Sequence, residues 1–347
     1  MSGFDGFLGN KKLTSRLSRD IAAGRYSHAY IIEGAEGCGK MTLSKLICSA
    51  ISCTESAPPC MKCIRCDKIA RDQAPDVITV TAEKDRVQIG VDVIRRLRED
   101  AVFAPNELPR KFYIIKNADT MNTQAQNALL KTLEEPPSHV MFLLLCESAD
   151  NMLATIRSRA PVLRIESLSD EDVCNYLKNN CPDANALEKK SPEAFLAAVK
   201  LSRGSLGMAI KLTDEKKAAE CLEYYKKAEK YIELLANRRN AAGELAFYEY
   251  AIKLATAKQR EELAKIYGLL ADAVRDLINA KLTQNPSPIF YTTAEKAVST
   301  ADKFALGVLV RLTDVFKDAA DGLDRNINVS LSLTHTAVAA EGACRTR

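Results

Sequence analysis

The sequence predicts an α/β domain with a parallel sheet covered on both faces, then a small helical part and a larger all-helical part. Three observations carry this reading. Short apolar runs alternate with helix-like segments up to about residue 165, a glycine-rich loop joins the first run to a helix, and from Asp214 onward the pattern is helical nearly throughout. Strands that alternate with helices pair in parallel and are buried on both faces, so they read as continuous apolar runs rather than alternating ones.

The elements follow in order. Residues 28–33 (HAYIIE) form a strand entering the glycine loop, and 42–51 the helix beyond it. A cluster of cysteines comes next, then a strand at 77–81 (VITVT) and an amphipathic helix at 91–99. Residues 111–115 (KFYII) are a strand, 123–133 a helix, and 140–145 (VMFLLL) a buried strand. Ser169 followed by Asp170, Glu171 and Asp172 opens the next part as a capped helix whose first-turn acids complement the helix dipole. Short helices run to about Thr213. Beyond it, Leu222, Tyr225, Ile232 and Leu235 fall at helical spacing, and Pro286 and Pro288 interrupt the pattern once.

Composition bounds the rest. A chain of 347 residues, 47% hydrophobic and 27% charged, is long enough for two or three domains with their own cores. It has no apolar run near the ~20 residues that span a bilayer, and its first residues lack a secretory signal, so a cytoplasmic protein is expected. A net charge of +4 permits nucleic-acid contact without arguing for it. Lys11, Lys12, Arg16 and Arg19 recur on an early helix, as either a solvated basic face or an approach to phosphates. Eleven cysteines in a cytosolic chain suggest metal or buried thiols rather than disulfides.

The loop 33–42 reads EGAEGCGKMT. Gly34, Gly37 and Gly39 let the backbone curl so that its N–H groups face an anion at the start of the next helix, and Lys40 would reach the β- and γ-phosphates. The plainer alternative is a glycine-rich turn without a ligand. ATP or ADP is therefore a candidate cofactor, but hydrolysis is doubtful for two independent reasons. Met41 stands where a Ser or Thr would ligate magnesium, a hard cation that takes oxygen ligands. Thr42 is displaced by about 100° round the helix. The strand 111–115 should end in an acid that supports the metal, yet Lys116 and Asn117 follow it, and Asp119 comes late enough to read as a cap on the next helix.

Cys53, Cys60, Cys63 and Cys66 are spaced C-x6-C-x2-C-x2-C. Four thiolates so close together can close a tetrahedral zinc site, and a site filled by four sulfurs leaves no position for water, so its zinc would be structural. Four free thiols in a loop are the alternative. Cys38, Cys48, Cys146, Cys174, Cys181 and Cys221 read as core thiols, and the GACRTR end with Cys344 as an unstructured tail.

A zinc knuckle directly after a phosphate-loop helix resembles the AAA+ family of bacterial DNA polymerase III clamp-loader subunits, in its γ/τ and δ′ members. Further matching stretches are Gly9-Asn10, the segment 24–30 (GRYSHAY), 127–137 (NALLKTLEEPP), 155–159 (TIRSR) and 325–328 (RNIN). The resemblance implies an AAA+ module at 1–166 with its zinc module at 53–66, a helical lid at 167–213 and an all-α oligomerisation collar at 214–347. It implies a place in a hetero-pentamer with γ/τ and δ subunits that loads a sliding clamp on primed DNA, with no membrane contact. By the same resemblance Arg159 would reach a neighbour's ATP site as a trans arginine finger; on residues alone, Arg157 and Arg159 read equally as ion-paired surface arginines. The family's cysteine after that arginine is Ala160 here.

The γ/τ members carry complete ATPase motifs, whereas δ′ members carry eroded ones, and Gly207 stands where hydrolysing relatives place a γ-phosphate-sensing arginine. The expectation is a δ′-like, largely non-hydrolysing component of the polymerase III holoenzyme. The alternatives are an active γ/τ-like ATPase that tolerates Met41 through Thr42 or water-held magnesium, and a nucleotide-responsive binding module outside replication.

Overall fold

The computed structural model describes residues 3–83, 88–238, 240–255, 259–283, 288–291, 293–324 and 327–345. They form two compact units, Met1–Asn180 with Ser202–Lys211, and Cys181–Leu201 with Leu212–Arg347. No described helix is long and apolar enough to cross a membrane.

The first unit contains α1 (Lys11–Ala22), β1 (Ala29–Glu33), α2 (Lys40–Ser52), α3 (Ile64–Ala70), β2 (Val77–Val80), α4 (Val91–Asp100), β3 (Lys111–Ile115), α5 (Thr123–Glu134), β4 (Val140–Cys146), α6 (Ala154–Arg157), β5 (Val162–Arg164) and α7 (Asp170–Asn180). The five strands pair in parallel in the order β2-β3-β4-β1-β5. Every residue of β3 and β4 is buried, as their unbroken apolar runs require. Alternate residues serve opposite faces. Ile31, Phe142 and Leu144 meet Ile94 of α4 and Leu129 of α5, whereas Ile32, Met141 and Leu143 meet Leu17 of α1 and Ile47 of α2. The chain passes from β1 to the far edge, returns through β3 and β4, and then adds β5 on the other side of β1. Ligands of open parallel sheets sit outside the carboxyl ends of the strands where the order reverses in this way, and the glycine loop leaves β1 there.

Three local features depart from the sequence reading. The three-residue strand β5 is too short to register as a periodic run. The cysteine segment, expected as a zinc knuckle, ends in a short helix that the spacing does not predict: α3 begins just after Cys63 and carries Cys66. Asp119 is not the cap of α5: the Asn122 Oδ1 accepts from the Ala125 N–H at 2.8 Å, while the Asp119 carboxylate accepts from the Glu147 N–H at 3.0 Å and so ties the turn after β3 to the end of β4. Ser169 does cap α7, accepting from the Asp172 N–H at 3.1 Å and donating to its carboxylate at 2.8 Å.

The second unit is helical: α8 (Pro182–Lys190) and α9 (Pro192–Leu201) precede α10 (Leu206–Leu212, mostly in the first unit), and α11 (Glu215–Ala236), α12 (Ala241–Ala251), α13 (Arg260–Leu282), α14 (Ala294–Ala301), α15 (Leu306–Asp324) and α16 (Val329–Arg345) follow. Tyr231 packs edge-on against Phe247 and Phe316, with centroids 5.1 and 5.8 Å away, beside buried Ile232 and Leu235. Buried Asp276 accepts from the N–H groups of Ile289, Phe290 and Tyr291. The end of the chain is not the loose tail expected, since α16 runs to Arg345 and Cys344 packs against the core. Pro286, Arg325 and Asn326 lie outside the described residues.

Candidate functional site

The phosphate loop is held by its own backbone and by segment 205–211. The Gly34 N–H donates to the Cys146 carbonyl at 3.2 Å, anchoring the loop to the end of β4. Gly37 (φ +73°) and Gly39 (φ +101°) occupy the left-handed region that favours glycine. Lys40 folds back, its ammonium donating to the Gly34 carbonyl at 2.5 Å and the Ala35 carbonyl at 2.9 Å. Segment 205–211 lies over the same loop: the Ser205 hydroxyl donates to the Glu36 carbonyl at 2.6 Å, the Gly207 N–H donates to the Gly37 carbonyl at 2.9 Å, and Lys211 pairs with Glu36 at 3.0 Å. A Cβ on Gly207 would stand 2.9 Å from the Gly37 carbonyl oxygen, so this packing has no room for an arginine there.

The residues around the loop lack a magnesium platform. Met41 is partly buried and packs against the core cluster on the α1–α2 face of the sheet, and Thr42 is exposed. Lys116 is exposed at the end of β3, and Asn117 follows with φ +50°. Two acids lie nearby, but both are engaged. Glu33 accepts from the Arg164 guanidinium at 2.7 Å, and Asp119 braces Glu147. Burial and these two acids push the Cys146 thiol up to about 12, with Lys40 opposing, so it stays a neutral core thiol.

Arg159 sits at the other end of the sheet. It follows α6 and precedes β5, and its partner Glu134 ends α5 just before β4. Both therefore lie at the amino ends of strands whose carboxyl ends face the phosphate loop. The six steps along the seven residues of β4 separate the two ends by about 20 Å at ~3.3 Å per residue. Arg159 ion-pairs with Glu134 at 2.8 Å, and its guanidinium also donates to the Thr155 carbonyl at 2.9 Å and the Ser158 hydroxyl at 3.3 Å. Arg157 pairs separately with Asp150 at 2.8 Å. The buried Gln126 accepts from the Leu153 N–H at 2.8 Å and donates to the Met121 carbonyl at 3.0 Å, fixing α5 against the segment that leads to both arginines. Ala160, fully buried, fills the position after Arg159.

The four cysteines come together. Cys53 closes from the end of α2, Cys60 and Cys63 from the turn, and Cys66 from α3, with all four sulfurs within 4.8 Å of one another. Tetrahedral Zn–S bonds of ~2.3 Å put sulfurs about 3.8 Å apart, and Cys60 and Cys66 stand 4.0 Å apart. The N–H groups of Lys62 and Cys63 donate to the Cys60 sulfur at 3.4 and 3.2 Å, as suits a charged thiolate. Burial works against the Cys63 thiolate, but hydrogen bonds from Cys66, Thr54 and Cys60 bring its thiol down to about 6. The donor set and spacing fit a metal ion.

The sequence reading missed Glu134, Gln126 and Ser205. Glu134 stands only within the matching stretch 127–137, and no local pattern marks the partner of a residue 25 positions away. On α1, Lys11, Lys12, Arg16 and Arg19 are all exposed, the last two beside Asp20 at 3.6 and 3.8 Å.

Residues 9–169 match the family described as DNA polymerase III, delta subunit. The DNA polymerase III subunit gamma of Buchnera aphidicola subsp. Schizaphis graminum is 32% identical over 178 residues, 51% of this chain and 48% of that one. The tau subunit of Bacillus subtilis is 33% identical over 217 residues, 61% of this chain and 37% of that one. The match thus spans about half or less of the length of these curated relatives. A solved structure of a gamma-subunit-related protein from Thermotoga maritima overlays 96% of this chain and all of its own, at 19% identity and a TM-score of 0.43. The matched part of the chain, which holds the glycine loop, the four cysteines and Arg159, is thus similar to gamma, tau and delta subunits of DNA polymerase III.

Proposed function

We propose that the chain is a δ′-like clamp-loader subunit, a largely non-hydrolysing AAA+ scaffold that supplies Arg159 to the ATP site of a γ/τ neighbour. The observation that carries this reading is the pair of unlike ends on one sheet. The end with the glycine loop has Met41 packed against the core and Lys116-Asn117 in place of acids, while the opposite end presents a partly exposed arginine. An arginine so placed cannot serve its own loop. In a head-to-tail ring, where unlike surfaces meet, it faces the loop of the next subunit. A guanidinium supplied in trans can be worth ~10³–10⁵ in rate.

In this reading residues 1–166 are the AAA+ module, 167–213 the lid and 214–347 the collar that joins γ/τ and δ in a pentamer. The assembly works in the cytoplasm and loads a sliding clamp on primed DNA. Gly34, Gly37, Gly39, Lys40 and Thr42 line a degenerate loop for ATP or ADP. Cys53, Cys60, Cys63 and Cys66 hold structural zinc, whose contribution is four covalent tethers in a segment with little core of its own. Reconstitution with γ/τ and δ tests the reading: Arg159→Ala should lower the ATPase of the assembly, and an unchanged rate would remove the trans role.

An active γ/τ-like ATPase is the second reading, favoured by the gamma and tau relatives at 32 and 33% identity. Turnover of Mg-ATP by the isolated chain, abolished by Lys40→Ala, would establish it instead.

A further inference from the structure

We propose that the four-cysteine knuckle clips the segment before α1 against the phosphate loop, so that metal at the knuckle stiffens a loop that contains none of its ligands. The inference rests on the metal reading above.

Residues 3–10 have one helical turn, Gly3–Gly6, and are held at both ends. At the knuckle, the Gly3 N–H donates to the Pro59 carbonyl at 2.7 Å. The approach is close enough to require glycine, since a Cβ there would stand 2.6 Å from Met61 Cγ and 2.7 Å from the Pro59 oxygen. Met61 has φ +57°, the bend that lets the two following N–H groups point at the Cys60 sulfur. The surface that receives Gly3 is thus the turn that orders the cysteines. At the other end, the Asn10 side chain accepts from the Glu166 N–H at 2.7 Å and donates to its carbonyl at 3.0 Å.

Between these anchors a single turn, Gly3–Gly6, buries Phe4, and the Phe7 N–H donates to the Phe4 carbonyl at 3.1 Å. That bond sets the direction of Phe7, whose ring is 8% exposed and lies 3.1 Å from where a Cβ on Gly39 would be. Gly39, at φ +101°, is the N-cap of α2 and the residue before Lys40. The ring therefore backs the most unusual backbone position of the phosphate loop.

The dependence on metal follows from charge. Four thiolates within 4.8 Å repel one another unless a cation or protons neutralise them, and short turns without core contacts open at low cost. With metal, the Pro59–Met61 surface is fixed and Gly3 stays docked. Without it, the segment keeps only its Asn10 anchor and the burial of two rings, and Phe7 loses its constraint against Gly39.

Hydrogen exchange of the full chain, read by mass spectrometry, tests this with three samples. Chelation of the metal should raise exchange at 4–9 and at 34–40 by about tenfold or more, with 111–115 and 140–146 unchanged. Gly3→Val should produce the same loosening while one equivalent of metal remains bound. Phe7→Ala should loosen 34–40 in the metal-loaded protein. If chelation melts the sheet as well, the metal-loaded Gly3→Val sample decides. Unchanged exchange at 34–40 in that variant would overturn the clip while leaving the metal site intact. Less than half an equivalent of bound metal in chelator-free protein would overturn the metal reading and this proposal together.

Discussion

The two ends of the parallel sheet carry the same kinds of groups, a lysine or arginine beside acids and carbonyls, yet they are arranged for opposite tasks. At the carboxyl end, Lys40 bonds to two carbonyls of its own loop and Gly207 packs on Gly37. Lys40, partly buried, turns its positive charge onto its own loop. At the amino end, Arg159 is anchored by Glu134 and the Thr155 carbonyl and stays partly exposed. In the proposed reading the first arrangement belongs to a lost function and the second to a kept one, because a residue that serves a partner must be held in shape and left accessible.

The largest effect expected from breaking this contrast is at Arg159. In a reconstituted assembly Arg159→Ala should lower ATP turnover by about 10³-fold, while its own melting temperature stays within what a surface substitution costs, about 0.5 kcal/mol. Assays of the assembly beside thermal melts of the isolated chain separate the two. Glu134→Gln sharpens the point, because it leaves Arg159 present but less well held. A smaller loss of rate, lessened at high salt for both proteins, is the expected outcome.

Gly207→Arg tests the covered end. The new side chain would force its Cβ to within 2.9 Å of the Gly37 carbonyl, so the packing must open at a cost of about 1–3 kcal/mol. Thermal or chemical denaturation measures the loss. No magnesium site is regained, because Met41 and Lys116 remain.

The smallest effect is expected at a control pair at the amino end of β3 that bonds neither Lys40 nor Arg159. Asp100 pairs with nearly buried Lys111 at 2.8 Å and accepts from the Tyr113 hydroxyl at 2.6 Å. Burial pulls its carboxyl upward, but these two partners outweigh it and hold the carboxyl below the usual range. A depressed folded pKa means the contribution is complete above the unfolded value near pH 4 and is lost as pH falls through the folded one. Asp100→Asn should cost about 1 kcal/mol at neutral pH, allowing for solvent screening, and less at pH 3. Denaturant melts at the two pH values measure it.

How much of this was legible in the residues depends on the reach of each interaction. The glycine loop's backbone, β1, β3 and β4 are legible because strand, glycine turn and helix are contiguous and β3 and β4 have apolar runs of four and seven residues. The cysteines were readable because ligand spacing is a short-range constraint. β5 was not, since three residues carry no periodicity. The role of Asp119 was misread because caps are judged by sequence distance, while its partner Glu147 is close only through the sheet. Glu134 and Phe7 were invisible for the same reason: their partners, Arg159 and Gly39, are 25 and 32 positions away. Cys344 was taken for a tail because short polar sequences at a chain end resemble one, but α16 carries its residues into a packed helix.

The most direct measurement of the central claim compares two variants in one reconstituted assembly, Lys40→Ala and Arg159→Ala, by steady-state ATP turnover. The account predicts that Arg159→Ala slows turnover by orders of magnitude and Lys40→Ala leaves it nearly unchanged. Loss of turnover with Lys40→Ala, alongside an indifferent Arg159→Ala, would contradict it.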